Sequence, residues 1–136
     1  MVFGTFDVLH KGHLNFFRQA RRLAKNPFLI VSVARDKNVK KIKKHWPLHN
    51  EEQRLAQVKK LSIINKAVLG GLANHLPHII REKPDIIALG YDQKAYTKNL
   101  KRLLLKQRLN VKIVRLKAFK SLVFQSRLIK QYAGKT

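Results

Sequence analysis

Apolar runs rich in β-branched residues alternate along this chain with stretches whose apolar residues recur every three or four positions. That alternation limits the fold more than any other feature. Phe28-Leu-Ile-Val-Ser-Val-Ala34 is almost unbroken in hydrophobicity, which suits a strand covered on both faces. Val2-Phe3 opens a shorter stub, cut by Gly4. Lys66-Ala-Val-Leu69, Asp85-Ile-Ile-Ala-Leu89 and Val111-Lys-Ile-Val-Arg-Leu116 read as further strands, the first two closed by Gly70-Gly71 and Gly90. Residues 13–25 read as a helix with Leu14, Phe17, Ala20 and Ala24 on one stripe, stopped by Asn26-Pro27. A second helix starts at Asn50, which has capping-box spacing to Gln53, with Glu51 and Glu52 where the helix dipole favours acids. Its inner stripe is Leu55, Val58 and Leu61. Leu76, Ile79 and Ile80 mark a third helix, Leu100, Leu103 and Leu104 a fourth, and residues 126–133 fit a closing one. About five strands separated by helices predict an α/β fold, a doubly wound parallel sheet forming a single domain over residues 1–136. Such sheets bind ligands beyond the carboxyl ends of their strands. The loops to read are therefore Gly4–His13, Arg35–Leu48, Gly90–Lys98 and Lys117–Ser126.

Composition narrows the chemistry. With 45% hydrophobic residues the chain can bury a core. It contains no cysteine, which excludes disulfides, thiolate zinc sites and a thiol nucleophile. No apolar run is long enough to span a bilayer, and the N-terminus lacks the pattern of a signal peptide, so a cytoplasmic protein with no membrane partner is expected. Thirty Lys and Arg against seven Asp and Glu give a net charge of +23, and residues 93–136 hold thirteen Lys and Arg and no acid. Such a field attracts nucleic acid, anionic membrane or phosphorylated small molecules, unless these side chains simply form solvated faces.

The first loop, Gly4-Thr-Phe-Asp-Val-Leu-His-Lys-Gly-His13, joins a strand end to a helix start. A helix start presents unpaired N–H groups and a partial positive charge, so it accepts phosphate. His10 and His13 share a face if the first turn is already helical at His10, and Gly12 has no side chain to block an anion between them. Gly4 permits a close backbone approach. Two imidazoles at one phosphate suit hydrogen-bond donation to oxygens that gain charge during phosphoryl transfer. Two ordinary surface histidines are the alternative. A zinc pair is disfavoured, because no further ligand except Asp7 lies nearby in sequence.

Gly4-Thr-Phe-Asp7 followed by His10-Lys-Gly-His13 is similar to the signature of the cytidylyltransferase-like nucleotidyltransferase superfamily. That group includes glycerol-3-phosphate cytidylyltransferase, phosphopantetheine adenylyltransferase and the archaeal type of FAD synthase. More distantly, the loop resembles the HIGH box of class I aminoacyl-tRNA synthetases. Val33-Ala-Arg-Asp36, Asn50-Glu-Glu-Gln-Arg54 and Ile86-Ile-Ala-Leu-Gly-Tyr-Asp-Gln93 most resemble the FAD synthase type. The resemblance implies a three-layer, Rossmann-like fold of the HUP type. It also implies transfer of a nucleoside monophosphate from ATP to a phosphorylated acceptor with release of pyrophosphate.

Carried onto this chain, it implies that His10 and His13 stabilise the transition state and that Arg127, standing where the family has lysine, joins them as a catalytic cation. Gly4, Thr5, Phe6, Asp7, Gly12, Lys44, Gly90, Asp92 and Ser126 would bind the nucleotide, Thr5 and Phe6 through backbone. Lys43 lies beside Lys44 in a loop where relatives carry phosphate-embracing lysines. Mg²⁺ would arrive on ATP or CTP, with no metal ligand from the chain, and relatives are commonly homodimers. Phe124 and Gln125 replace family hydroxyls in the turn before Ser126. The family usually carries a few more residues before its first glycine, so the start at Met1 is expected to be truncated. Ser62-Ile-Ile-Asn65 stands where cytidylyltransferases have Arg-Tyr-Val-Asp, which, with the Gly90-Tyr-Asp-Gln93 loop, turns the reading toward ATP; the leading expectation is adenylyl transfer from ATP to FMN. A CTP-dependent enzyme acting on glycerol 3-phosphate is the first alternative. A non-catalytic paralogue that binds nucleotide or nucleic acid is the second, and nucleic acid is disfavoured because aromatics do not interleave the basic run. Trp46 reads as a hydrophobic plug or as a cover for an acceptor ring. His45, His49, His75 and His78 read as structural.

Overall fold

The computed structural model describes residues 1–72, 75–91, 93 and 99–118. The expected closing helix over 126–133, together with Asp92, Ser126 and Arg127, lies outside the described residues. Strands β1 (Val2–Gly4), β2 (Ile30–Val33) and β3 (Lys66–Leu69) pair in parallel in the order β1-β2-β3. Val31 stands beside Val2 on one side and Ala67 on the other. Strands β4 (Ile86–Leu89) and β5 (Lys112–Arg115) form a second parallel pair. The pairs meet along β1 and β4, where Met1 N donates to Ile86 O at 2.8 Å and Ala88 N donates to Met1 O at 3.0 Å. The spatial order is thus 3-2-1-4-5, and strand progression reverses between β1 and β4.

That reversal sends the helices to opposite faces. Helices α1 (Lys11–Arg21) and α3 (Glu51–Lys59) set Phe17 and Val58 against Val2, Val31, Val33 and Ala67. Helices α4 (Leu76–Glu82) and α5 (Leu100–Lys106) set Ile79, Leu100 and Leu104 against Phe3, Ile30, Ile87 and Leu89. Alternate residues of each strand enter different clusters, which explains why the strands read as continuous apolar runs. Burial of each large apolar side chain contributes about 1.5–3 kcal/mol. The doubly wound α/β expectation holds, with five strands among the described residues.

Two helices differ from expectation. Helix α1 ends at Arg21, and Leu23 N and Ala24 N then bond back only three residues, to Ala20 O and Arg21 O. Ala24 therefore lies exposed beyond the helix. The Arg35–Leu48 stretch contains helix α2 (Asp36–Lys43) where a loop was expected. Asp36 faces its N-terminal dipole, lysines fill its last turn, and Val39 is its only buried residue. Lys44 and Lys83 end α2 and α4 in the left-handed region, with φ of 67° and 50°, and Arg108 adopts φ 61° after α5. Among the described residues no helix is long and apolar enough to cross a membrane.

Gly4 has a packing role of its own. A Cβ there would lie 2.5 Å from Phe6 Cζ, because the Phe6 ring folds back over Gly4 with φ 53° and only 4% exposure. The close approach it permits is to this ring. Phe6 is held against Phe17 at 5.2 Å and His13 at 5.5 Å between ring centroids, so it cannot swing aside freely. Gly4→Ala is expected to destabilise the protein by about 1–3 kcal/mol, read as a lower urea midpoint at unchanged m-value.

Candidate active site

The loop between β1 and α1 folds into a reciprocal cap. His10 is the N-cap of α1 in an extended conformation, φ −148° and ψ 178°, so it does not share a helical face with His13 as a helical first turn would have given. Its Nδ1 accepts from Gly12 N at 3.1 Å, while His13 Nδ1 accepts from His10 N at 3.3 Å. Imidazole thus does the work usually done by Ser and Glu in a capping box. The two rings stack with centroids 3.9 Å apart and planes at 29°. Because each Nδ1 accepts, the proton of each neutral ring sits on Nε2. Burial, helped by His10 and Lys43, pushes the His13 imidazole down to about 4, and burial also lowers His10. Both rings are therefore neutral at pH 7 and offer Nε2–H as uncharged donors. Buried Gly12 sits between them at the first turn.

An ionic network fixes this loop. Arg54 has no solvent exposure. Its guanidinium donates to Thr5 O at 2.8 Å, His49 O at 3.0 Å and Asp36 Oδ1 at 2.7 Å. Glu51 then accepts from Asp36 N at 3.0 Å and from Arg35 Nη1 at 2.8 Å. Asp7 accepts from Leu48 N at 2.7 Å and His49 N at 2.9 Å, which ties the β1–α1 loop to the segment between α2 and α3. Asp7 is thus a loop clamp here, and Thr5 O is held by Arg54. Sequence reasoning passed over Arg54. Its signal was its place four residues before Val58, on the inner stripe of α3, where a guanidinium needs buried acceptors.

Lys44, expected at the phosphates, is exposed at the end of α2; Lys43 is the lysine whose charge reaches His13. Trp46 is 58% exposed, which removes the reading as a plug, and Ile42 and Leu48 are exposed beside it in sequence. Gly90 ends β4; its N–H donates to Gln93 Oε1 at 2.8 Å and its carbonyl accepts from Arg115 at 2.7 Å. Among the described residues no three His, Asp or Glu side chains are grouped to hold a metal ion.

At the carboxyl ends of β2 and β3 lies a cavity of about 280 Å³, lined by Arg35, Gly70, Gly71, Leu72, His78 and Arg81 among others. Arg35 also donates to Gly70 O at 2.9 Å, so the cavity wall connects through Glu51, Asp36 and Arg54 to the histidine loop. Below it, Ser32 Oγ and His78 Nε2 lie 3.0 Å apart in the interior. Burial, then the neighbouring His75 and Arg81, pushes His78 down to about 4.

A doubly wound sheet whose first strand delivers two neutral imidazoles to a helix start defines a nucleotidyltransferase. The chain belongs to the cytidylyltransferase-like family, whose model matches residues 1–132. It is 45% identical over 120 residues to the FAD synthase of Korarchaeum cryptofilum, covering 88% of this chain and 81% of that one. It is 46% identical over 115 residues to the FAD synthase of Archaeoglobus profundus, covering 85% and 72%. Among solved structures it resembles the lipopolysaccharide core biosynthesis protein from Thermoplasma volcanium, with TM-score 0.80 and 36% identity over 88% of this chain and 95% of that one.

Arg54→Lys keeps the charge but cannot span three acceptors with one planar fork, so stability is expected to fall by about 2 kcal/mol in urea denaturation. The histidines set a pH window. His13 and His78 have pKa values near 4 in the fold, against 6.5 in an unfolded chain. The unfolded state therefore binds more protons between these limits, and stability falls as pH drops from about 6.5 toward 4. The urea midpoint at pH 4.5 is expected below that at pH 7.

Proposed function

We propose that this protein transfers the adenylyl group of ATP to FMN, forming FAD and pyrophosphate. The observation that carries this reading is the stacked, neutral His10–His13 pair at the start of α1, in a chain so similar to FAD synthases over most of its length. An oxygen of the FMN phosphate attacks the α-phosphorus. The bond from that phosphorus to the oxygen bridging the β-phosphate breaks, and the electron pair leaves on pyrophosphate. His10 and His13 donate Nε2–H to the phosphate oxygens that gain charge, and the α1 N-terminus adds its dipole. Lys43 supplies further positive charge, and Arg127 is proposed as the cation opposite. Asp92, Gly90 and Ser126 are proposed to hold the nucleotide. Mg²⁺ enters as part of the MgATP substrate. The cavity walled by Arg35 and Arg81 has the charge to receive the acceptor side. A homodimer is also proposed.

The test is a pyrophosphate-release screen crossing ATP and CTP with FMN, glycerol 3-phosphate, phosphopantetheine and phosphocholine. Release with ATP and FMN alone is expected; release with CTP and glycerol 3-phosphate would reassign the acceptor. His10→Ala or His13→Ala is expected to lower turnover roughly 100-fold or more. His10→Ala also removes the α1 cap, at a cost of about 1 kcal/mol in stability. Since the His13 imidazole is pushed down to about 4 by burial, its protonation is expected to break the cap with His10 N and lower kcat as pH falls toward 4, with no effect of this ring near neutrality.

A further inference from the structure

The register between β1 and β4 dictates where their next rung falls. Met1 donates to Ile86 O and accepts from Ala88 N, which sets Met1 opposite Ile87. Two residues on, Phe3 O should accept from Gly90 N. That rung is interrupted. Gly90 N donates instead to Gln93 Oε1 at 2.8 Å, and Gln93 Nε2 donates to Phe3 O at 2.8 Å. A side-chain amide has been inserted into a backbone hydrogen bond, one donor and one acceptor replacing the direct contact. The insertion sits at the carboxyl end of the sheet, at the reversal in strand order where such folds bind nucleotides. Arg115 from β5 secures it by donating to Gly90 O at 2.7 Å and Gln93 O at 2.9 Å.

We propose that Gln93 is a positioning residue that props the carboxyl ends of β1 and β4 apart, at the switch point where a fold of this kind receives its nucleotide. This rests on the adenylyltransferase reading for the identity of the nucleotide. Gln93 satisfies two backbone groups that would otherwise pair with each other, so stability does not require it. What it adds is separation. Removing the amide lets Gly90 N reach Phe3 O directly, extends the ladder by one rung and draws the carboxyl ends of β1 and β4 together. The cavity proposed for the acceptor lies at the ends of β2 and β3, away from Gln93, so the spacer acts on nucleotide binding and not on acceptor binding.

The experiment compares the full-length wild type with Gln93→Ala and Gln93→Glu. It measures ATP affinity by calorimetry, KM for ATP and for FMN, the thermal midpoint, and the scalar coupling across a hydrogen bond from Gly90 N to the Phe3 carbonyl carbon. For Gln93→Ala the expected result is ATP affinity at least tenfold weaker, KM for FMN within twofold, a thermal midpoint equal or higher, and a new Gly90–Phe3 coupling. For Gln93→Glu the carboxylate still accepts from Gly90 but turns its second oxygen on the Phe3 carbonyl, so affinity and thermal midpoint both fall and no coupling appears. If Gln93→Ala binds ATP like the wild type, or loses affinity only with a lower thermal midpoint and no coupling, the proposal is overturned. A wild type that binds ATP but releases no pyrophosphate with FMN would overturn the functional reading while leaving the affinity comparison intact.

Discussion

A guanidinium with no access to water must find acceptors for its donors inside the protein, and Arg54 finds them on three separate segments. Thr5 O belongs to the β1–α1 loop, His49 O to the approach to α3, and Asp36 to the start of α2. Removing one member of such a buried set leaves the others desolvated and unmatched, which costs more than the set contributes over an apolar replacement. The value of Arg54 is thus geometric. It makes three loops at the carboxyl edge of the sheet into one rigid rim, and the histidines stand on that rim.

On that rim each imidazole is fixed by the cap it makes. Nδ1 of each closes the open end of α1, so the cap dictates tautomer and orientation together. Desolvation then removes the charge that a free histidine would partly carry near neutrality. Donors fixed in place and free of net charge lose little when they meet a polyphosphate, because no ion must be desolvated and no rotamer chosen. Lys43 brings its charge toward His13 from α2, a helix whose single buried anchor is Val39.

Much of this was legible in the sequence where local physics decides. The β-branched runs gave strands because both faces of each are covered, and the capping box of α3 forms as its spacing predicts, with Gln53 N to Asn50 Oδ1 at 2.8 Å and Asn50 N to Gln53 Oε1 at 2.9 Å. Helix α2 was hidden because Asp36–Lys43 buries one residue and shows almost no apolar stripe. The packing partner of Gly4 was hidden because Phe6 occupies a left-handed conformation that is uncommon for a bulky residue. Arg54 and Gln93 were hidden for a further reason. Each reaches a backbone carbonyl far along the chain, Thr5 O 49 residues from Arg54 and Phe3 O 90 residues from Gln93, and a backbone carbonyl carries no residue signature. The pairing of His10 with His13 was legible, though it arises through a cap in place of helical periodicity.

The left-handed ends of α2 and α4, and the turn after α5, are occupied by Lys44, Lys83 and Arg108, where glycine or asparagine would relax the backbone. Cations at those points complement the carbonyl ends of their helices, so the chain accepts torsional strain in exchange for charge. Part of its basic character is therefore embedded in helix termination. Engineers seeking a hardier, less polycationic biocatalyst could relax the backbone at Lys83 and Arg108 and draw down the surface potential at the same time.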